Sequence, residues 1–367
     1  MVNYAASKDA TYLELLKIAK LSDNSTYSSL QLNNIVIALN SLNEYQFVHK
    51  RIIPLLKSKA KKLNVFDLLN TDIQELLNNE TQKGVITELG QKSQLTSIVK
   101  ALSAENIPVI LLKGSAFALS LYKASAPRTS NDIDILVKGD DWEQAKKIIS
   151  LIMKPLPIKN KQVFDNLYET SFIPKSKIGA TVDLHKSLVH PYLFNINEKQ
   201  LWQESVKHNE YASDLVRVLS PEYAINHQAL HAFKDMDFSK YNLVDVHEII
   251  KQNPINLAKA FAIAKQWGSS VPLFVLLNNC SQIMATFSVE EVKLIQNSKP
   301  NSVTQVLCKK LIKSKANKLT NNSKTFKYRI LQLISQFVFT GSFIRPISLQ
   351  WMFIKKIFKN SVIATEH

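Results

Sequence analysis

Glycine is scarce in this chain, 7 in 367 residues, and cysteine scarcer, with only Cys280 and Cys308. Two cysteines make neither a disulfide framework nor a Cys-rich zinc site, so a reducing, cytoplasmic setting is the expectation. Long apolar runs are missing too. The charge-free run Gln266 to Val289 is interrupted by Asn278, Asn279, Ser281 and Gln282, which suits a buried helix better than lipid. The run Ile330 to Ile344 has 15 residues, short of the roughly 20 that a spanning helix needs. No basic stretch followed by an unbroken apolar block opens the chain, so no secretory signal is expected. No internal repeat is evident. Acidic residues are absent between Glu291 and Glu366.

What is present is an ordinary globular balance, 46% hydrophobic and 21% charged, in a chain long enough for two or three domains. The net charge of +16 belongs mainly to the C-terminal fifth, where lysines and arginines accumulate from Lys293 to Lys359. Nucleic acid therefore ranks low as a partner: the basic residues lie away from the acids described below, and no aromatic stacking platforms are interleaved near Asp132. Trp351, Met352, Phe353, Ile354 and Phe358 alternate with Lys355, Lys356 and Lys359. That pattern fits either a helix lying on an anionic membrane surface or a terminal helix docked on the body with its lysines in water.

Periodicity divides the chain in four. Residues 1–105 read as helical, with apolar positions at helical spacing in Tyr12 to Ile18, around Phe47 to Leu56, and most regularly in Val85 to Ala104. Pro54 would start or kink a helix. His49 is alone among apolar neighbours and is read as structural. Residues 106–195 alternate short strands with helices, and residues 196–316 return to helices. Residues 317–367 begin with a polar linker and form the basic amphipathic segment. The expected fold class is α+β, a small mixed sheet flanked by helices.

Chemistry concentrates in the second division. Pro108 to Leu112 is a continuous apolar run consistent with a buried strand, and it ends at Lys113-Gly114-Ser115 before a helix expected over Ala116 to Lys123. A glycine at a strand-to-helix turn lets backbone N–H groups approach an anion, and Ser115 can equally serve as a plain N-cap. A loop holding Arg128 leads to the strand Asp132 to Val137, where alternation puts Ile133 and Ile135 on one face and Asp132 and Asp134 on the other. Neighbouring carboxylates repel unless a cation lies between them, which makes the pair a candidate for a hard divalent ion such as Mg²⁺. Asp140 or Asp141 is read as the cap of the helix Trp142 to Ile152. Two strands follow, Glu169 to Pro174 and Ala180 to His185, and the second sets Thr181, Asp183 and His185 on one polar face. His227 and His231, four apart, share a helix face, but the glutamate of a metalloprotease pattern is missing. Asp245 lies on the next helix.

Leu112-Lys113-Gly114, Leu121-Tyr122, Arg128, Asp132 to Val137 and Val182-Asp183-Leu184-His185 together resemble the uncharacterised nucleotidyltransferase family of the polymerase-beta-like superfamily, whose members often lie in bacterial surface-polysaccharide gene clusters. The resemblance covers roughly residues 85 to 290 and continues more loosely through His227, His231 and Asp245. The 16 residues between Ser115 and Asp132 match this narrower family rather than the shorter interval of minimal superfamily members. The resemblance implies Mg²⁺-dependent transfer of a nucleoside monophosphate from an NTP to a hydroxyl acceptor. Asp132 and Asp134 would be metal ligands, with Asp183 a third carboxylate that helps hold metal or accepts a proton. Gly114 and Ser115 would meet the triphosphate, with Lys113 and Arg128 contacting phosphate. His185, His227, His231 and Asp245 are candidates for the acceptor side. The competing reading is a catalytically silent, NTP- or protein-binding relative acting as an antitoxin or assembly factor.

Overall fold

The computed structural model describes residues 7–21, 26–42, 52–122, 130, 132–156, 168–175, 179–211, 213–238, 242–316, 326–340, 342, 344–349 and 351. Arg128, Phe47, Val48, His49, most of the polar linker and the lysines beyond Trp351 lie outside the described residues.

Helices α1 (Ser7–Ala19), α2 (Ser29–Asn40), α3 (Ile53–Lys62) and α4 (Thr71–Ala104) come first. The starts of α2 and α3 follow from local chemistry. Ser28 and Gln31 exchange side-chain and backbone hydrogen bonds in a capping box, and Pro54 sits in the first turn of α3, where its missing N–H costs nothing. Helix α4 extends well beyond the periodic stretch seen in the sequence. Its buried face runs through Ile73, Leu77, Thr81 and Gly84 to Leu95, Ile98 and Leu102, while Leu89 points outward.

The sheet comprises β1 (Val109–Leu112), β2 (Asp132–Leu136), β3 (Lys154–Pro155), β4 (Glu169–Ile173), β5 (Thr181–His185), β6 (Val206–Lys207) and β7 (Val216–Val218) in the order β3-β4-β5-β2-β1-β7-β6. Parallel pairs (β1 with β7, β2 with β5) mix with antiparallel ones (β1 with β2, β4 with β5). Strands β6 and β7 fall where only helices were expected from the sequence. Val216-Arg217-Val218 is too short to show a period by itself, and its strand geometry comes from pairing with β1. Helix α5 (Lys113–Ser120) lies against β1 and β2, and α6 (Trp142–Ile152) lies against α4.

The remaining helices are α7 (Glu198–Glu204), α8 (Pro221–Asp235), α9 (Asn242–Gln252), α10 (Leu257–Trp267), α11 (Ser270–Met284), α12 (Val289–Asn297), α13 (Ser302–Ala316) and α14 (Phe326–Thr340). Helix α8 packs against α9, α10 and α11, and α1 reaches across the chain to touch α9 and α11. Buried side chains from Leu15 to Leu349 form one contiguous core. Among the described residues no helix is long and apolar enough to cross a membrane, and the run that includes Asn278 and Asn279 is the buried helix α11.

Helix α14 is held by aromatic contact. Phe339 is fully buried, stacked on Phe238 with ring centroids 5.4 Å apart and planes 6° from parallel, and it meets Phe233 at 5.4 Å. Just beyond, Arg345 donates to the carbonyl oxygen of Trp267 at 3.1 Å, at the C-terminus of α10. That helix ends at Gly268 in the left-handed region (φ +76°), and a Cβ there would lie 2.6 Å from the Arg345 guanidinium. The first part of the C-terminal segment is thus docked on the body. Replacing Phe339 with Ala should cost about 3–5 kcal/mol of stability, read as a lower urea midpoint at unchanged slope.

Candidate functional site

Three strands build one polar face. In register, Asp134 pairs with Leu112 on one side and Asp183 on the other, and Asp183 in turn faces Ser171. Paired residues project to the same side of a sheet, and so do residues two apart on one strand. Asp132, Asp134, Asp183, His185, Glu169 and Ser171 therefore share a face. The opposite alternation buries Ile133, Ile135, Val182 and Leu184 at 1% exposure or less. One ligand oxygen each from Asp132, Asp134 and Asp183 lies within 4.8 Å of the others, the one such metal-capable group among the described residues. Hard oxygen donors at that spacing fit a Mg²⁺-type ion.

The turn from β1 into α5 brings cationic and hydrogen-bonding groups to the same face. The helix begins at Lys113, so Leu112 stands at the N-cap, without a side-chain cap bond, and Lys113, Gly114 and Ser115 fill the first turn. Ser115 is therefore not the N-cap that the sequence allowed: its hydroxyl accepts the Asp134 backbone N–H at 3.3 Å and ties α5 to β2. The sharp reversal falls on Lys113 itself, at φ +44°, and not on the glycine. A non-glycine residue held there stores backbone strain, which surrounding structure must over-determine. Its side chain supplies one reason, since Lys113 Nζ reaches Asp134 Oδ1 at 2.9 Å. The N–H groups of the first helical turn have no intrahelical acceptor and favour an anion.

Asp134 is almost fully buried, at 1% exposure. Burial pushes its carboxyl up, but the Lys113 ammonium and a hydrogen bond with His185 outweigh that and hold it well below the usual carboxylate range. His185 Nε2 lies 3.0 Å from the same Oδ1. On its other side His185 Nδ1 faces Glu169 Oε2 at 3.6 Å, and Lys234 of α8 contacts that oxygen at 3.0 Å. The Asp183 carboxyl is raised, by burial first and by the charges of Asp134 and Glu169, although Ser171 Oγ donates to it at 2.5 Å. Asp132 accepts from Ser130 Oγ at 2.9 Å.

The other expected residues divide. His185 joins the cluster directly. His227 and His231 sit on α8 close enough for Lys113 and Asp134 to act on them, but neither belongs to a metal-capable group among the described residues. Burial pulls His227 down to about 3 and His231 well below its ordinary value, so both are neutral at pH 7. His231 Nδ1 lies 3.3 Å from Asp235 Oδ2, one turn along the helix. Asp245, buried on α9, accepts from Tyr122 at 2.6 Å and links that helix to the end of α5. Asp141 occupies the N-cap position of α6 but makes no side-chain cap bond. Glu169, Ser171, Ser130 and Lys234 were missed. Glu169 was legible in principle: the hairpin that sets Asp183 beside Ser171 also sets His185 beside Glu169.

The family model described as uncharacterised nucleotidyltransferase matches residues 45–285. None of the curated proteins matches the chain in sequence. Among solved structures, the crystal structure of ANT(2'')-Ia in complex with adenylyl-2''-tobramycin is 16% identical, covering 47% of this chain and 94% of that one, with a TM-score of 0.33. The solution structure of the antibiotic-resistance factor ANT(2'')-Ia is 15% identical over 56% and 95%, with a TM-score of 0.28. Superpositions this loose carry no functional weight.

A depressed histidine binds fewer protons folded than unfolded, so stability is lost as pH falls from the ordinary value of about 6.5 toward the folded value. For His227 that window runs down to about 3. Urea unfolding between pH 7 and pH 4 should show a shallower loss for His227→Gln than for the wild type, and equal slopes would remove the assignment.

Proposed function

Because the chain belongs to the uncharacterised nucleotidyltransferase family, and is an enzyme of that type, we propose that Asp132, Asp134 and Asp183 hold a divalent cation, Mg²⁺ by preference, for transfer of a nucleoside monophosphate from an NTP to a hydroxyl acceptor. The single observation that carries this is the convergence of the three carboxylates within 4.8 Å at the N-terminal turn of α5. Gly114 and Ser115 offer backbone N–H groups to the triphosphate, and Lys113, held on Asp134, adds positive charge beside them. Arg128, outside the described residues, is assigned to phosphate on the resemblance alone. A bound cation would neutralise charge on the triphosphate oxygens.

The acceptor oxygen forms a bond to the α-phosphorus, the bond to the β-phosphate oxygen breaks, and pyrophosphate leaves with its electron pair. The hydroxyl proton passes to a carboxylate, for which Asp183, beside Asp134 in register, is the candidate. His227 and His231 on α8 face the same region and, being neutral, suit hydrogen bonding to an acceptor hydroxyl rather than phosphate neutralisation. The surface-polysaccharide setting rests on the resemblance alone. We assign residues 106–195 as the catalytic core, with β6 and β7 completing its sheet, and the helices of 196–316 as the part that closes over it.

Asp134→Asn should remain folded and lose NTP- and Mg²⁺-dependent pyrophosphate release. Release at the wild-type rate would remove the site assignment.

A membrane-facing role for the C-terminus is proposed in narrower form than the sequence suggested, because α14 is part of the core. Past it, Ile344, Ile347 and Trp351 are 76%, 57% and 57% exposed at helical spacing, and Lys355, Lys356 and Lys359 follow. Apolar anchors beside lysines suit an anionic bilayer surface. Truncation after residue 350, which removes Trp351 and the lysines but keeps Arg345 and Leu349 in place, should strongly weaken sedimentation with anionic liposomes while leaving the urea midpoint in place. Equal partitioning of the two proteins would refute it.

A further inference from the structure

The carboxylate at the centre of the site is held from behind, and the holding groups come from a different part of the chain. Both donors that reach Asp134 fall on Oδ1, Lys113 Nζ at 2.9 Å and His185 Nε2 at 3.0 Å. Oδ2 is thereby left as the oxygen for a ligand. His185 is 3% exposed, and its second nitrogen, Nδ1, is buried with no hydrogen bond. The group facing that nitrogen is Glu169 Oε2 at 3.6 Å, longer than a hydrogen bond. Glu169 is itself fixed by Lys234, whose Nζ lies 3.0 Å from the same oxygen and 5.7 Å from the centre of the Tyr168 ring. Glu169 belongs to β4, His185 to β5, Asp134 to β2 and Lys234 to α8.

We propose that Lys234, Glu169 and His185 form a positioning chain that fixes the orientation of Asp134 and makes its affinity for a divalent cation depend on the seating of α8. The proposal rests on the reading of Asp134 as a metal ligand. Its physical basis is that a ligating carboxylate is aimed by the hydrogen bonds on its other oxygen, and partners behind a ligand typically contribute ten- to a hundredfold to metal affinity. Glu169 is not placed as a ligand itself: it is absent from the metal-capable group, and its carboxylate meets His185 on one side and Lys234 on the other. Lys234 acts through Glu169 in turn. The ion pair is therefore a link between sheet and helical layer with a consequence at the metal.

The test uses the full chain and Mn²⁺ alone as probe, with binding followed by electron paramagnetic resonance of the free ion and by the metal-induced rise in melting temperature. Glu169→Ala should weaken Mn²⁺ binding by roughly ten- to a hundredfold. Glu169→Gln, which keeps an oxygen facing Nδ1 but loses the charge that holds Lys234, should fall between it and the wild type, as should Lys234→Met. In steady state the variants should lose kcat at fixed low metal, recover it as metal is raised, and keep KM for the NTP, because the α5 turn is untouched. A purely structural role for the ion pair would lower the melting temperature without moving the metal dependence, and Mn²⁺ affinity within about twofold of wild type in the folded variants overturns the proposal. If Glu169→Ala fails to fold, Glu169→Gln and Lys234→Met decide by the same criterion. Failure of wild-type protein to bind Mn²⁺ more tightly than Asp134→Asn overturns the metal-ligand reading and the chain with it. Failure confined to the Glu169 and Lys234 variants overturns only the chain.

Discussion

A carboxylate taken out of water in the middle of a sheet is the constraint around which this structure is arranged. An unpaired ionised group at the depth of Asp134 would be neutralised or would unfold its surroundings. Lys113 and His185 keep it charged, and each requires something of the backbone. Lys113 can reach only because β1 ends one residue earlier and the chain turns through the left-handed region at the lysine itself. His185 can reach only because β5 runs parallel to β2 in a register that puts Asp183 beside Asp134.

The same geometry places a strained turn, a helix N-terminus and three carboxylates together. The turn that brings Lys113 to Asp134 also starts α5, so the first-turn N–H groups lie beside the acids. Ser115 closes the arrangement by accepting the Asp134 N–H, which prevents helix and strand from separating. Strain at Lys113 is thus balanced by an ion pair and a hydrogen bond that all converge on one residue of β2.

Helices flank the sheet, α5 against β1 and β2 and α6 against β3. Helix α1 touches α9 and α11, so the N-terminal helices and the later helical segment share one core around the sheet. Helix α8 has two faces with different duties. Asn226, at 0% exposure, bonds its own helix at Glu222 and α10 at Ala260, while Lys234 reaches Glu169 and His227 and His231 lie close enough for Lys113 and Asp134 to act on them. The lowering of the two histidines follows from burial beside Lys113, and it separates them in character from that lysine.

What the sequence determined by itself is the set of groups that alternation and local punctuation can announce. Asp132-Ile133-Asp134 declared two acids on one strand face, Val182-Asp183-Leu184-His185 declared a third with a histidine two residues on, and the apolar run before Lys113-Gly114-Ser115 declared a strand meeting a helix. Period-two alternation is a property of a single strand, so it can be read without knowing the neighbours. The tertiary structure alone decided which strands lie side by side, and so which acids meet. It chose parallel pairing for β2 with β5, recruited the three-residue β7 to the edge of β1, and moved the start of α5 so that Ser115 became a tether rather than a cap. It also supplied Lys234, 65 residues from its partner Glu169. Charge pairing across such separations leaves no local pattern in a sequence, because the two groups meet only once β4 and α8 have been brought together by the fold.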